Sequence, residues 1–296
     1  MELHGILVID KPRGLTSHDV VARVRRLLKT RKVGHAGTLD PAAEGVLVVA
    51  VGRATKLLSD LSAHNKRYAA HVVLGVGSVS GDVEGPAILE QAISDRPSSA
   101  AVTAVLKDFT GDIEQVPPAH AAIKVDGQPL YRRAHRGETV EVPSRNVHIS
   151  VLNLIDYQFP NIWLDVECSA GTYVRSLARD IGSALGDSAY LHYLLRTRAG
   201  DFGLDDAWSL DEMERSLCSE TFALYARHPS TLRRDQIALA LSPDATNAWY
   251  DGRSVAGSGR TEFVRAHAFQ LNGSWLGTGT RTDVRDVWQP NLVVRD

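Results

Sequence analysis

The chain has 296 residues, 44% of them hydrophobic and 23% charged, with a formal net charge of −2. This composition is typical of a globular protein and excludes a largely disordered chain. No window approaches the roughly 20 apolar residues of a membrane span, the N-terminus does not resemble a signal peptide, and two cysteines exclude a disulfide scaffold. We expect a cytoplasmic protein.

The near-neutral net charge hides an uneven distribution of charge along the chain. Residues 1–70 contain 12 Lys and Arg against 6 Asp and Glu, whereas residues 81–115 contain 2 against 7. Contact with nucleic-acid phosphates depends on the local density of basic residues more than on the net charge of the chain. A solvated charged surface would give the same counts, so the charge pattern alone leaves both interpretations open.

The first predicted elements are a strand and a helix. Residues 5–9 have strand character, and residues 10–14 form the turn that leaves it. Thr16 or Ser17 can cap the helix that follows. Its apolar stripe contains Val20, Val21, Val24, Leu27 and Leu28, and its other face is rich in arginine.

Residues 34–56, GHAGTLDPAAEGVLVVAVGRATK, combine glycines with a buried-strand pattern. Pro41 favours an extended conformation for Asp40, whose neighbours are small. An Asp-Pro pair also commonly begins a helix, with Asp as the cap, but no long helical pattern follows Pro41. Residues 46–51 are continuously apolar, which predicts a strand buried on both faces.

The middle of the chain alternates strands and helices. Residues 53–61 and 98–109 predict helices. Residues 68–74 and 162–168 predict strands with one buried face, because apolar side chains recur at every second position. Thr172 can cap a helix over residues 173–182, on which Arg175 and Arg179 share a face.

The last quarter of the chain has the character of a β domain. Residues 263–269 and 284–294 predict strands, and Asn272-Gly273 predicts a hairpin turn. We expect a first domain over residues 1–229 and a second over residues 230–296.

Several motifs together resemble the TruB family of tRNA pseudouridine synthases. They are GHAGTLDP, GVL and GRATK within residues 34–56, DKPRGLTSHDV from Asp10, KRY from Lys66, GTYVRSLARDIG from Gly171 and LLRTRAGDF from Leu194. The resemblance covers roughly residues 5–202. It implies an α+β fold with a central mixed, mainly antiparallel sheet flanked by helices, and a small C-terminal β-rich, PUA-like domain. It also implies an RNA-clasping insertion around residues 112–142.

The resemblance further implies the roles of eight residues. Asp40 would be the catalytic nucleophile, with Arg175 beside it, and Tyr68 would stack on the target uracil and assist proton removal. His35 would help to displace the base, while Tyr173 and Leu194 would line the pocket. Lys11 and Pro12 would support the floor of the site.

The implied activity is isomerisation of uridine 55 in the T-loop of tRNA to pseudouridine. The reaction involves no oxidation, so we expect no cofactor and no metal; the partner is the tRNA T-arm, and we expect a monomer. The alternatives are a guide-RNA-directed synthase and a non-catalytic tRNA-binding or tRNA-folding protein on the same fold. A glycosidase would need a second carboxylate across a pocket from Asp40, for which Glu44 is the nearby candidate.

Overall fold

The computed structural model describes residues 3–88, 96–118, 124–125, 128–129, 142–232, 236–257, 263–284 and 286–295. The α-helices are α1 (Ser17–Leu27), α2 (Leu58–Ser62), α3 (Ser99–Asp108), α4 (Val174–Ala184), α5 (Leu210–Ser216), α6 (Phe222–Tyr225) and α7 (Pro243–Tyr250). Short 3-10 helices are formed by Gly52–Leu57, Leu204–Asp206 and Pro229–Leu232. No helix in these ranges is long and apolar enough to cross a membrane.

Most of the β-strands belong to two sheets. The strands are β1 (Gly5–Lys11), β2 (Val33–Ala36), β3 (Glu44–Val51), β4 (Lys66–Leu74), β5 (Gly77–Ser78), β6 (Ala87–Ile88), β7 (Gly111–Gln115), β8 (Lys124–Val125), β9 (Gln128–Pro129), β10 (Arg145–Gln158), β11 (Asn161–Cys168), β12 (Ala189–Ala199), β13 (Phe202–Gly203), β14 (Trp208–Ser209), β15 (Ile237–Leu241), β16 (Val255–Ala256), β17 (Arg265–Gln270), β18 (Trp275–Arg281) and β19 (Val287–Val293).

The larger sheet has ten strands in the order β14-β1-β3-β12-β4-β11-β10-β7, with β2 added to β3 and β13 to β12. The pairs β1–β14 and β3–β12 are parallel, and the others along this path are antiparallel. The predicted mixed, mainly antiparallel sheet is therefore confirmed. Strand β3 is adjacent to β12, so residues about 150 positions apart in the chain meet at the centre of the sheet.

Strand β3 is buried on both faces, as its unbroken apolar run predicts. Leu47, Val49 and Val51 face one core, which also contains the apolar sides of α1 and α4. Val46, Val48 and Ala50 face a second core, on the opposite side of the sheet. The end of β3 that carries the preceding loop is thus held from both sides.

The second sheet has five strands in the order β15-β17-β18-β19-β16, which confirms the expected C-terminal β-rich part. It has its own core, in which Trp249 and Trp288 are fully buried. Trp275 and Val294, however, pack into the second core beneath β3. The two sheets therefore share a hydrophobic contact.

The helix starts show where local sequence patterns succeeded and failed. Thr16 caps α1 through a reciprocal pair of hydrogen bonds with Asp19, as one of the two predicted options. The prediction that Thr172 caps the helix over residues 173–182 is wrong, because α4 begins after Tyr173 and the Thr172 hydroxyl donates to the Ser169 carbonyl at 3.0 Å. The short helix predicted over residues 53–61 is a 3-10 turn followed by α2.

The RNA-clasping insertion expected around residues 112–142 lies largely outside the described residues. Of its described residues, those of β7 pair with β10, which follows the insertion, and β8 pairs with β9.

Two glycines with left-handed backbone allow a test of how closely β3 and β12 approach. Gly45 has φ +99°, and a Cβ atom added to it would lie 2.3 Å from the Arg196 carbonyl oxygen. Gly14 has a similar φ of +87°, but a Cβ atom added to it would have no neighbour within 4 Å. We expect Gly14→Ala to lower the free energy of unfolding by about 1 kcal/mol, the conformational cost alone. Gly45→Ala should lower the free energy of unfolding by about 2 kcal/mol more than Gly14→Ala does, because β3 and β12 must move apart to make room for the added Cβ atom.

Urea unfolding of the two variants and the unmodified chain measures this difference. An equal decrease in the free energy of unfolding for Gly14→Ala and Gly45→Ala would contradict the close approach of the Arg196 backbone to Gly45.

Candidate active site

The loop that carries Asp40 connects β2 to β3 and is anchored to the N-terminal part of the chain. The buried Ser17 hydroxyl accepts a hydrogen bond from the Leu39 N–H at 2.8 Å and donates to the Leu39 carbonyl at 3.1 Å. The carbonyl of Pro41 accepts from the Gly14 N–H at 2.8 Å. Asp40 is therefore fixed by contacts on both sides of it in sequence.

Lys11 lies beneath this loop, with none of its surface exposed. Its ammonium group donates to the carbonyls of Pro12 at 2.9 Å and Leu15 at 2.7 Å, and approaches that of Pro41 at 3.5 Å. Burial lowers the pKa of Lys11 to about 8. Lys11 and the Pro12 carbonyl thus lie below the Asp40 loop, for which the family resemblance implies a supporting role.

Arg175 brings two carboxylates together at the start of α4. Its Nε lies 3.0 Å from Asp40 Oδ2, and its Nη1 lies 3.5 Å from Asp82 Oδ2. Nη1 also donates to the Ser80 carbonyl at 2.9 Å. Only 6% of the Arg175 side chain is exposed, against 37% for Asp40. The guanidinium group is therefore a fixed, desolvated partner that holds the Asp40 carboxylate in one orientation.

Two opposing influences act on the ionisation of Asp40. Burial raises the pKa of Asp40 above its usual value of 3.8, and the nearby Asp82 raises it further. The positive charge of Arg175 lowers the pKa and offsets part of this rise. The ionised form of Asp40 thus depends on its arginine partner.

Asp40 and Arg175 open into a cavity of about 340 Å³ that is also lined by Tyr68, Tyr173 and Leu194. This volume lies in the range of small-molecule sites in proteins. The lining residues include the carboxylate of Asp40 and two aromatic rings, that of Tyr68 on β4 and that of Tyr173 at the start of α4. Five of the predicted site residues are thus brought together around one space.

The two tyrosines are held by different contacts. Tyr68 is the third residue of β4 and is only 8% exposed. Burial raises the pKa of Tyr68, so that the phenol stays protonated near neutral pH, and the charge of Arg196 opposes this rise. The Arg145 guanidinium lies over the ring of Tyr173, with 4.8 Å between Arg145 Cζ and the ring centroid. Its backbone N–H donates to Gln115 Oε1 at 2.8 Å, and its carbonyl accepts from Gln115 Nε2 at 3.1 Å.

His35 lies on β2, outside the set of described residues that line the cavity. Its ring makes an edge contact with His18, at 5.3 Å between centroids. Burial lowers the pKa of His35 to about 4, so its ring is neutral at pH 7. A neutral imidazole on the strand leading to Asp40 can contact an unstacked base or fill a space, but does not add positive charge.

The carboxylates do not have the arrangement that a glycosidase needs. Glu44 accepts a hydrogen bond from the Tyr193 hydroxyl at 3.0 Å and does not line the cavity. Asp82 binds the same guanidinium as Asp40, and the space that both acids line has a volume of only about 10 Å³, too small for a sugar. The paired-carboxylate alternative is therefore not supported.

Sequence reasoning did not assign roles to four buried residues at this site, Gln115, Asp82, Lys66 and Arg196. Gln115 is fully buried, Asp82 is the second partner of Arg175, and the two cations line the cavity. Lys66 and Arg196 lie inside recognised motifs, so a signal was present for them. Gln115 is the last residue of β7, and nothing in the neighbouring sequence indicates that its side chain binds the start of a distant helix.

Among the described residues no group of three or more His, Cys, Asp or Glu side chains could hold a metal ion.

Comparison with known proteins identifies relatives over most of the chain. Residues 25–174 match the family described as TruB family pseudouridylate synthase (N terminal domain). The tRNA pseudouridine synthase B of Cupriavidus pinatubonensis is 42% identical over 259 residues, which is 86% of this chain and 81% of the relative. That of Thermobifida fusca is 48% identical over 217 residues, which is 71% of this chain and 74% of the relative.

Two solved structures share the fold at lower sequence identity. An H/ACA ribonucleoprotein bound to a substrate RNA containing 2'-deoxyuridine contains a chain that aligns with a TM-score of 0.71 and 23% identity, over 99% of this chain and 85% of that chain. A Cbf5-Nop10-Gar1 complex contains one with a TM-score of 0.72 and 24% identity, over 98% and 84%. These two comparisons show that the chain shares the fold of those proteins.

Proposed function

Because this chain belongs to the TruB family of pseudouridylate synthases, we propose that it converts uridine 55 in the T-loop of tRNA to pseudouridine with Asp40 as the nucleophile. Formation of pseudouridine in tRNA is the activity of the enzymes it resembles over 86% of its length. The observation that carries the proposal is the contact between Asp40 and the buried Arg175 at 3.0 Å, in the wall of a cavity that also contains Tyr68.

The reaction makes defined demands on the site. The bond between N1 of uracil and C1′ of ribose breaks, a bond between C5 and C1′ forms, the C5 proton leaves and N1 gains a proton. No electrons are exchanged with another molecule, so the residues alone can supply the chemistry. Asp40 can attack C1′, assist formation of a glycal or add to C6 of uracil, and the same carboxylate serves each route.

The other predicted residues have complementary roles in this proposal. The target base must leave the RNA stack, at a cost of a few kcal/mol. Stacking on Tyr68, together with contact from Tyr173 and Leu194, offsets this cost, and His35 contacts the RNA that the base leaves. Arg175 keeps Asp40 ionised and oriented, while Lys11 and Pro12 support the loop from below.

We propose further that residues 1–229 carry the catalytic groups and that residues 230–296 form a PUA-like domain that contacts RNA outside the T-loop. All the catalytic groups proposed above come from one chain, which supports action as a monomer. A tRNA substrate also supports a location in the cytoplasm.

Conversion of unmodified tRNA transcript tests the function. We expect one pseudouridine per tRNA, located at position 55, and release of one tritium from C5-labelled uridine for each product formed. A transcript with cytidine at position 55 should bind but release no tritium, because its target base is not uracil. Binding of tRNA without release, with or without added guide RNA, would favour the non-catalytic alternative; release only with a guide RNA would favour the guided enzyme.

A further inference from the structure

Two buried cations lie side by side at one wall of the cavity. Lys66 is the first residue of β4 and is 6% exposed, and Arg196 is on the adjacent strand β12 and is 1% exposed. Both line the cavity that contains Asp40. A Cβ built on Gly37, in the loop before Asp40, would be 3.6 Å from Lys66 Cε and 3.6 Å from Arg196 Nη1, so the two side chains converge on the same loop.

These cations have carbonyl partners rather than carboxylate partners. The Lys66 ammonium donates to the carbonyls of Ser62 and His64. Arg196 donates from Nε to the Val46 carbonyl at 2.7 Å and from Nη2 to the Gly37 carbonyl at 3.1 Å. Across the described parts of the chain, no carboxylate forms an ion pair with either of them.

The other charges of the site do not neutralise this pair. Asp40 and Asp82 are both engaged by Arg175. Burial is the main reason that the pKa of Lys66 falls to about 8, and the charge of Arg196 contributes to the fall. Arg196 also lowers the pKa values of Lys11 and His35. Desolvated positive charge that repels its neighbours is costly unless an anion enters the site.

We propose that Lys66 and Arg196 form a subsite for one phosphodiester group that directly flanks the target uridine. This inference rests on the proposed function, in which RNA is the substrate. The anion must arrive with the substrate and depart with the product, and phosphodiesters are the negatively charged groups of RNA. With the base against Tyr68 and the ribose at Asp40, an adjoining phosphate is the anion within reach of both cations.

Such a subsite would also contribute to extraction of the base. A phosphate held by two desolvated cations is attracted more strongly than one in water, because the local dielectric constant is low. The attraction is available only when the nucleotide has left the stack and entered the cavity. It therefore offsets the unstacking cost at the moment when that cost arises.

The test uses T-arm stem-loop RNAs in which one linkage is an uncharged methylphosphonate. The linkage is placed 5′ of the target uridine, 3′ of it, or in the stem as a remote control. For the unmodified enzyme we expect one flanking substitution to lower kcat/KM by about tenfold to a hundredfold, the scale of a lost charge-assisted contact. The stem substitution should have a smaller effect.

A variant of the subsite then identifies its partner linkage. Lys66→Met should lower kcat/KM for the natural RNA by a similar factor. The sensitive methylphosphonate should then cause a clearly smaller further loss than in the unmodified enzyme, because only the Arg196 part of the interaction remains. Lys66→Arg should keep most of the sensitivity to that linkage. Lys107→Met, at an exposed position of α3, should respond to all three linkages like the unmodified enzyme.

Two results would overturn the subsite. One is equal sensitivity to the flanking and stem linkages in the unmodified enzyme; the other is fully additive losses in Lys66→Met. A circular dichroism melt verifies that Lys66→Met folds, and Lys66→Gln, which also removes the charge, gives the same coupling test if it does not. Pseudouridine formation in natural RNA with no preference for a flanking charge would reject the subsite alone, whereas absence of pseudouridine would reject the proposed function.

Discussion

Asp40→Asn should lower the rate of pseudouridine formation by about 10⁴-fold or more, the scale of loss when a nucleophilic residue is removed from an enzyme. The amide has nearly the shape of the carboxylate but carries no negative charge. It cannot displace the base from C1′ or add to uracil with comparable reactivity. The loop should keep its conformation, because Ser17 and Lys11 hold it through the backbone of Leu39 and Pro41.

The measurement is single-turnover release of tritium from C5-labelled tRNA, with binding of the same tRNA determined in parallel. Asp108→Asn, at an exposed position near the end of α3, is the matched control and should behave like the unmodified enzyme. Substantial release by Asp40→Asn would contradict the assignment of the nucleophile. Loss of tRNA binding together with release would instead indicate that Asp40 acts in binding.

Arg175→Met should lower kcat by about 10²- to 10³-fold, the range for loss of one preorganised electrostatic partner. It should also shift the pH dependence of the remaining activity. Burial already raises the pKa of Asp40, and Arg175 opposes that rise. Without Arg175 the pKa rises further, so a higher pH is needed to ionise Asp40, and the acid limb of the kcat profile moves towards higher pH.

Profiles of kcat against pH for Arg175→Met, Arg175→Lys and Arg179→Met would resolve this effect. Arg179 lies one helical turn further along α4 and pairs with Asp180, so its replacement should leave the acid limb unchanged. Arg175→Lys retains a charge but not the forked geometry, and its acid limb should lie between those of the other two variants. An acid limb that does not move in Arg175→Met would show that Asp40 ionisation does not depend on this arginine.

Much of the fold follows from short-range patterns in the sequence. The alternating apolar residues of β4 and β11 predict one buried face, and both strands have it. The unbroken apolar run of β3 predicts two buried faces, because no position in it could be exposed without loss of hydrophobic free energy. The residues around Asp40 identify the family, and the family identifies the residues that surround the cavity.

What the sequence does not reveal are partnerships that depend on strand order. Arg196 contacts the carbonyl of Gly37 across 159 positions of the chain, and this contact exists only because β12 lies between β3 and β4. The prediction that Thr172 caps α4 is wrong for the same reason. The backbone N–H of Tyr173, at the start of the helix, donates to the side chain of Gln115, which comes from a different part of the sheet. The local preference for threonine as a helix cap does not take these long-range hydrogen bonds of Gln115 with the Tyr173 backbone into account.

The double burial of β3 has a consequence for how the protein reaches its working state during synthesis. One side of the strand is covered by Trp275 and Val294, which leave the ribosome more than 200 residues after β3 itself. Until then Val46, Val48 and Ala50 lack part of their apolar cover, and the strand that follows the Asp40 loop is incompletely held. A polypeptide terminated before these residues should therefore be less active and more susceptible to proteases than the full chain.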